Sequence, residues 1–421
     1  MLITRPTQHA PSLDQTDKPS LVPMPHRKPQ RATLAMLLAG LSTLGPFSID
    51  TYMPSFPAIQ ASLHATPLQV QQTLSVYLFC FAVMMLFHGS FSDSFGRRPV
   101  ILGSLVAFVL TSIACVFAND INTLIIFRGL QGLSAGAGLI VGRAIIRDLY
   151  AGAEAQRLMS KITMMFAISP AIAPIIGGWL HLMFGWHAVF VFMAGLGLLL
   201  LVLSWRYLPE THPLAGRHPF SMRPLIGNYH QVASHPHFLL LAGTVALHFA
   251  GFFLYIASAP VFVLQTLHLH EDQFAWLFIP AITGVMIGAF LSGRLAGRIT
   301  QQQTVKYAYM LLLSAAAINL AYTSAFVPAW PWAILPIALY GMGMSLAMPS
   351  ITLLALDLFP QHRGLVSSMQ GFVQTMLNAV VAGIVSPMLS FSPIYLAVGM
   401  MGFLLLGRIT WQIYRVVEAP Q

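Results

Sequence analysis

The sequence breaks into twelve apolar runs, each close to the roughly 20 residues a helix needs to cross a bilayer core about 30 Å thick. The first six lie near 33–56, 68–91, 98–118, 121–143, 158–181 and 186–207. The second six lie near 237–263, 272–295, 303–326, 331–356, 362–388 and 391–413. Hydrocarbon offers the backbone no hydrogen-bond partners, so runs of this length are expected as helices. A soluble alternative is excluded by charge: 8% of the 421 residues are charged and 57% are hydrophobic, against about a quarter charged in an average soluble domain. The expected fold class is an all-α membrane protein with twelve transmembrane helices in two six-helix halves.

Connections are short except between runs six and seven. That stretch, 208–236, holds five prolines with Glu210, Arg217 and Arg223, and is expected as a linker between an N-terminal half, 32–207, and a C-terminal half, 237–415. Residues 1–31 carry Pro6, Pro11, Pro19, Pro23, Pro25 and Pro29 and no apolar core of a signal peptide. They read as a disordered tail ending in Arg27, Lys28 and Arg31, and 416–421 as a second short tail. Of 21 Lys and Arg residues, 20 fall in the tails, the linker, the loops of one side or the ends of the runs next to them. The loops of the other side contain none. This positive-inside pattern predicts cytoplasmic tails and linker, and it accounts for the net charge of +9 without a nucleic-acid partner.

The remaining basic residue is Arg128, about seven residues into the fourth run. The one carboxylate well inside a run is Asp50, near the outer end of the first. A carboxylate at membrane depth is costly when charged, so its protonated form is favoured unless a cation compensates. That is what a proton-coupling group requires. Arg128 stays charged and is expected to face water, Asp50 or a substrate. The expected coupling is direct: protonation of Asp50 frees Arg128, and substrate competes with the proton there.

Four segments carry a family resemblance. The loop between runs two and three reads Gly89-Ser-Phe-Ser-Asp93-Ser-Phe-Gly96-Arg97-Arg98 and resembles the signature loop of the major facilitator superfamily. Arg128-Gly-Leu-Gln131-Gly132 resembles the fourth-helix motif of that superfamily. Ala173-Pro174-Ile-Ile-Gly177-Gly178 resembles its antiporter motif, with Ala173, Ser169 and Ser160 in place of glycines. Gly45-Pro46-Phe-Ser-Ile-Asp50-Thr-Tyr52-Met-Pro54 resembles the first helix of the Bcr/CflA group of proton-linked drug exporters. The resemblance covers roughly 33–415. It implies the major facilitator fold and multidrug efflux across the bacterial inner membrane by drug:proton antiport. A metabolite exporter and a proton-coupled uptake symporter stay open as alternatives, and a polytopic membrane enzyme or channel stays as a remote one.

The resemblance also implies that Asp93 leans on the start of the eleventh helix near Arg363 and Gly364 as an inner latch. The residues themselves allow Asp93 to pair with Arg97 or Arg98 as well. Gly89 and Gly96 permit a tight turn, while Pro170, Pro174, Gly177 and Gly178 give a bend and a smooth sliding face. Adaptable walls for a small-molecule substrate are expected from Phe47, Tyr77, Phe81, Met84, Phe252 and Tyr255, with polar contacts from Gln131, Gln374 and Asn378. Cys80 and Cys115 lie in apolar runs and suggest no disulfide. His268, His270, Glu271 and Asp272 read as a solvated outer loop rather than a metal site, and no cofactor motif or catalytic cluster is present. The partners expected are a small-molecule substrate, protons and membrane lipid, for a chain acting as a monomer.

Overall fold

A computed structural model describes residues 31–150, 152–214, 217 and 220–418. Most of the expected N-terminal tail and the end of the C-terminal tail lie outside the described residues.

Among the described residues, twelve helices are long and apolar enough to cross a membrane, making this a multi-pass membrane protein. They are spans 1 to 6 at Ala32–Ser62, Pro67–Phe95, Arg97–Val116, Ile121–Leu149, Arg157–Phe184 and His187–Tyr207, and spans 7 to 12 at Pro236–Ala257, Glu271–Leu295, Gln301–Ala325, Leu335–Asp357, Arg363–Leu389 and Pro393–Val417. Several starts have local causes. Thr66 with Gln69, and Thr300 with Gln303, close reciprocal capping boxes at spans 2 and 9. Asp120 caps span 4 by accepting from the backbone of Asn122 and Thr123. The Thr123 hydroxyl and N–H, bonded to Asp120, hold its carboxyl below the usual carboxylate range.

Spans 1, 4 and 11 are interrupted within their length. Span 1 runs as helix from Arg31 to Asp50, makes a tight turn over Met53–Ser55 and resumes over Phe56–Ser62. Pro46, Pro54 and Pro57 remove backbone donors along this stretch. Span 4 is interrupted at Gly136, and span 11 carries a π-helical turn over Val381–Val385. The last helix runs on to Glu418, so the segment expected as a tail from 416 begins as helix. The linker also contains structure that apolar counting does not find, a helix over Met222–Ala233. Its Tyr229 hydroxyl donates to the Leu86 carbonyl of span 2 at 2.6 Å, and burial pushes that phenol up to about 12.

The halves repeat one packing scheme. Spans 1 and 5, 2 and 4, and 3 and 6 pack together in the first half, as do 7 and 11, 8 and 10, and 9 and 12 in the second. Between halves, span 2 packs on span 11 and span 5 on span 8, contacts that interchange when the halves are exchanged. A parallel repeat of this kind puts functional groups where the two halves face each other.

Candidate functional site

The break in span 1 positions the site. Asp50 is the last residue of the first helical segment and is 3% exposed. Its Oδ1 atom has no hydrogen-bond partner, and it forms no ion pair among the described residues. The hydroxyls of Thr51 and Ser55, on the same turn, are also buried without partners. Buried polar atoms are normally satisfied, so three orphans on one turn mark a place where binding groups outweigh packing.

Arg128 is fully buried and held without a carboxylate. Its guanidinium carbon lies 4.3 Å from the ring centres of both Tyr52, from span 1, and Tyr77, from span 2. Cation–π contacts of this kind contribute about 0.5–2 kcal/mol each. Nη1 donates to Gln131 Oε1 one helical turn on, and Nη2 to the Ser48 carbonyl at 2.9 Å. Gln131 is held in turn by Ser112 at 2.7 Å, and Tyr52 by Thr73 at 2.6 Å. Of the faces expected for Arg128, water, Asp50 or a substrate, an ion pair with Asp50 is not formed among the described residues. Two aromatic faces, an amide and a backbone carbonyl disperse the arginine charge, and the carboxylate is left uncompensated. Tyr77 lies within electrostatic reach of both groups.

Span 5 closes the other wall. Gly177 packs against the Thr51 carbonyl so closely that a Cβ would collide with backbone atoms. At Gly178 a Cβ would collide with the Glu271 carbonyl of the second half. One turn further, His181 Nε2 lies 2.9 Å from a Glu271 oxygen. The two glycines thus let span 5 touch the residue beside Asp50 and the opposite half at once. Three more bonds join the halves at this end: Gln71 to the Ala257 carbonyl at 3.0 Å, Gln72 to Gly383 at 2.8 Å and Ser75 to Ala379 at 2.8 Å.

At the other end, the signature loop serves the first half only. Gly96 adopts φ +103°, a region that favours glycine, and turns the chain into span 3. Arg97 bonds Asp93 and Ser92 and reaches Asp148 of span 4 at 3.1 Å. Arg98 donates to the Trp205 carbonyl at 2.7 Å. Glu210, from the linker, accepts from the backbone N–H groups of Arg97 and Arg98 and caps span 3. Asp93 is exposed and pairs with Arg97, as the residues alone allowed, and not with span 11, where Arg363 pairs with Asp357 at 2.9 Å. The implied latch at the linker end is unmade while the seam at the opposite end is formed.

The remaining expected contacts divide. Tyr77 and Gln131 are spent on Arg128, and Phe81 stacks on Tyr77 at 6.0 Å. Tyr255 bonds Asn319 at 2.7 Å and packs on Phe262, while Phe252 packs on Phe249, all inside the second half. Phe47, Met84 and Gln374 are half-buried, and Asn378 is buried with its Oδ1 unpartnered. Gly89 sits against Ile140, and Pro170 and Pro174 lie within the span 5 helix. Sequence reasoning missed Tyr52, although it stands two residues after Asp50, together with the seam residues Gln71, Gln72, Ser75 and His181.

Comparison with known proteins agrees with this architecture. The chain is 29% identical over 368 residues to a bicyclomycin resistance protein homolog of Haemophilus influenzae, covering 85% of this chain and 90% of the relative. It is 28% identical over 367 residues to multidrug resistance protein D of Escherichia coli, covering 85% and 89%. Its fold matches the crystal structure of a bacterial homolog of the human lysosomal transporter Spinster, in an inward-facing and occupied conformation, with a TM-score of 0.70 and 16% identity over 92% of this chain and 96% of that one. Residues 36–387 match the family model of the Major Facilitator Superfamily. With its twelve spans, paired halves and motif residues at the seams between them, the chain belongs to the Major Facilitator Superfamily and is a secondary transporter, not an enzyme.

Proposed function

We propose that the protein exports small amphipathic, drug-like compounds across the bacterial inner membrane in exchange for protons, with both termini in the cytoplasm. The observation that carries this reading is Asp50: a buried carboxylate with an unpartnered oxygen, on the broken turn where span 1 meets span 5. A carboxylate lacking a compensating cation at this depth gains by taking up a proton. Arg128 keeps its own partners throughout, so protonation changes the local charge by one unit without breaking an ion pair. The coupling then runs through field and shape. An anionic Asp50 favours polar or cationic groups of a substrate, and a neutral one releases them. Names of relatives, bicyclomycin resistance and multidrug resistance, support the substrate class. The basic residues confined to one side support the orientation. Each proton moving inward supplies about 2.3 kcal/mol per 100 mV, enough to drive export against a gradient.

The test uses proteoliposomes with an imposed proton gradient and a panel of amphipathic antibiotics that includes bicyclomycin. Accumulation of a compound on the side from which protons leave, lost in Asp50→Asn, is the expected result. Co-accumulation of compound and protons on one side means uptake symport and overturns the reading.

A further inference from the structure

Spans 9 and 12 pack on each other and, within the second half, on spans 10 and 7. Between their ends on the linker side is a cavity of about 220 Å³. Lys306 of span 9 and Arg408 and Arg415 of span 12 line it, with Trp411 between the two arginines and Met310 and Leu313 on the wall towards the bilayer centre. Among the described side chains, none that lines it is acidic, and these three cations form no ion pair among the described residues. Arg408 and Arg415 are two turns apart and so share one face of span 12. Trp411 is 5% exposed and Tyr309, 5.7 Å beneath the Arg408 guanidinium, is equally buried, so the floor is aromatic and fixed while the cations stand on the rim.

Depth makes this arrangement informative. Arg408 lies nine residues before the end of span 12, about 13 Å along the axis, and Lys306 five residues into span 9, about 8 Å. Both positions lie inside helices apolar enough to cross a bilayer rather than in the loops. An arginine facing lipid there is costly without an anion. The apolar wall of Met310, 59% exposed, and Leu313 continues the cavity along the outside of the helix pair, where an acyl chain would run.

We propose that this groove binds the phosphodiester headgroup of an anionic phospholipid from the linker-side leaflet. Lys306, Arg408 and Arg415 clamp the phosphate from two helices, and Trp411 seats the glycerol region. A basic pocket between helix ends is suited to such a headgroup. A free phosphate shares the charge but has no chain for the apolar wall. The site is separate from Asp50 and Arg128, and its occupancy can be read without transport.

The experiment is native mass spectrometry of purified, delipidated protein titrated with phosphatidylglycerol or with phosphatidylcholine of the same chains. Wild type is expected to retain one phosphatidylglycerol in strong preference to phosphatidylcholine. Each of Lys306→Gln, Arg408→Gln and Arg415→Gln should weaken retention about fivefold, and the three combined should abolish it. Arg294→Gln, a linker-side cation outside the groove, should retain the lipid and serves as control. Lys306→Gln alters an exposed rim residue and keeps the test open if the triple variant fails to fold. Equal phosphatidylglycerol binding by wild type and all three single variants overturns the proposal. Displacement of the lipid by millimolar inorganic phosphate also overturns it, because the groove is then a free-phosphate site.

Discussion

The backbone carbonyl of Thr51 and the α-carbon of Gly177 are in direct contact, so the break in span 1 beside Asp50 and the double-glycine face of span 5 are one joint. A side chain can rotate away from a clash, but a carbonyl fixed in a buried turn cannot. The double glycine is therefore a packing requirement here as well as a source of flexibility.

Gly177→Val is accordingly expected to eliminate transport in proteoliposomes. Gly195→Ala, in span 6 where an added methyl meets nothing within 4 Å, should leave it unchanged. Membrane insertion of both variants, checked by fluorescence-detected size exclusion, should match wild type. Normal transport by Gly177→Val would show that the joint opens freely and is not shared.

Asp50→Asn removes the charge at nearly constant volume. Substrate binding and exchange should persist while proton-driven accumulation is lost, a separation read by comparing counterflow with gradient-driven uptake. Retention of the pH-gradient response in this variant would sink the coupling role.

Arg128→Lys tests how the cation is held. A lysine keeps the charge but cannot lie flat between Tyr52 and Tyr77 while also bonding Gln131 and the Ser48 carbonyl. Transport should fall tenfold or more, and thermal stability should drop with the loss of two cation–π contacts of about 0.5–2 kcal/mol each. Wild-type stability and rate would mean that charge alone matters at this position.

His181 and Glu271 join the halves at the end opposite the linker. Glu271→Gln weakens that contact and leaves the Gly178 approach to the backbone intact. The population open at the end opposite the linker should rise about 1.4- to fivefold, corresponding to the ~0.2–1 kcal/mol typical of a partly exposed pair. Double electron–electron resonance between labels on the outer loops reads this directly, and an unchanged distance distribution would remove the pair from the seam.

Glu210→Gln takes the carboxylate from the start of span 3. The loss of charge at a capped helix terminus should cost about 1 kcal/mol, seen as a lower melting temperature with transport largely kept.

Membrane class, span number and the positions of Asp50 and Arg128 inside the first and fourth runs follow from the sequence alone, because hydrophobic length and charge exclusion act locally along the chain. Asp50 stood out for that reason, and so did the glycines and prolines of span 5. What Asp50 and Arg128 face was decided by tertiary structure. Sequence depth placed them at a similar level and suggested a pair, but helix rotation set Arg128 between two tyrosines from different spans and left Asp50 without it. The same holds for Asp93. Its motif position is visible in one dimension, yet whether it meets Arg97 or span 11 depends on how the two halves are tilted. The His181–Glu271 contact, the Glu210 cap on span 3 and the basic groove of spans 9 and 12 join residues 90, 113 and up to 109 positions apart along the chain. Such contacts have no local periodicity to announce them, and only the packing of one helix against another creates them.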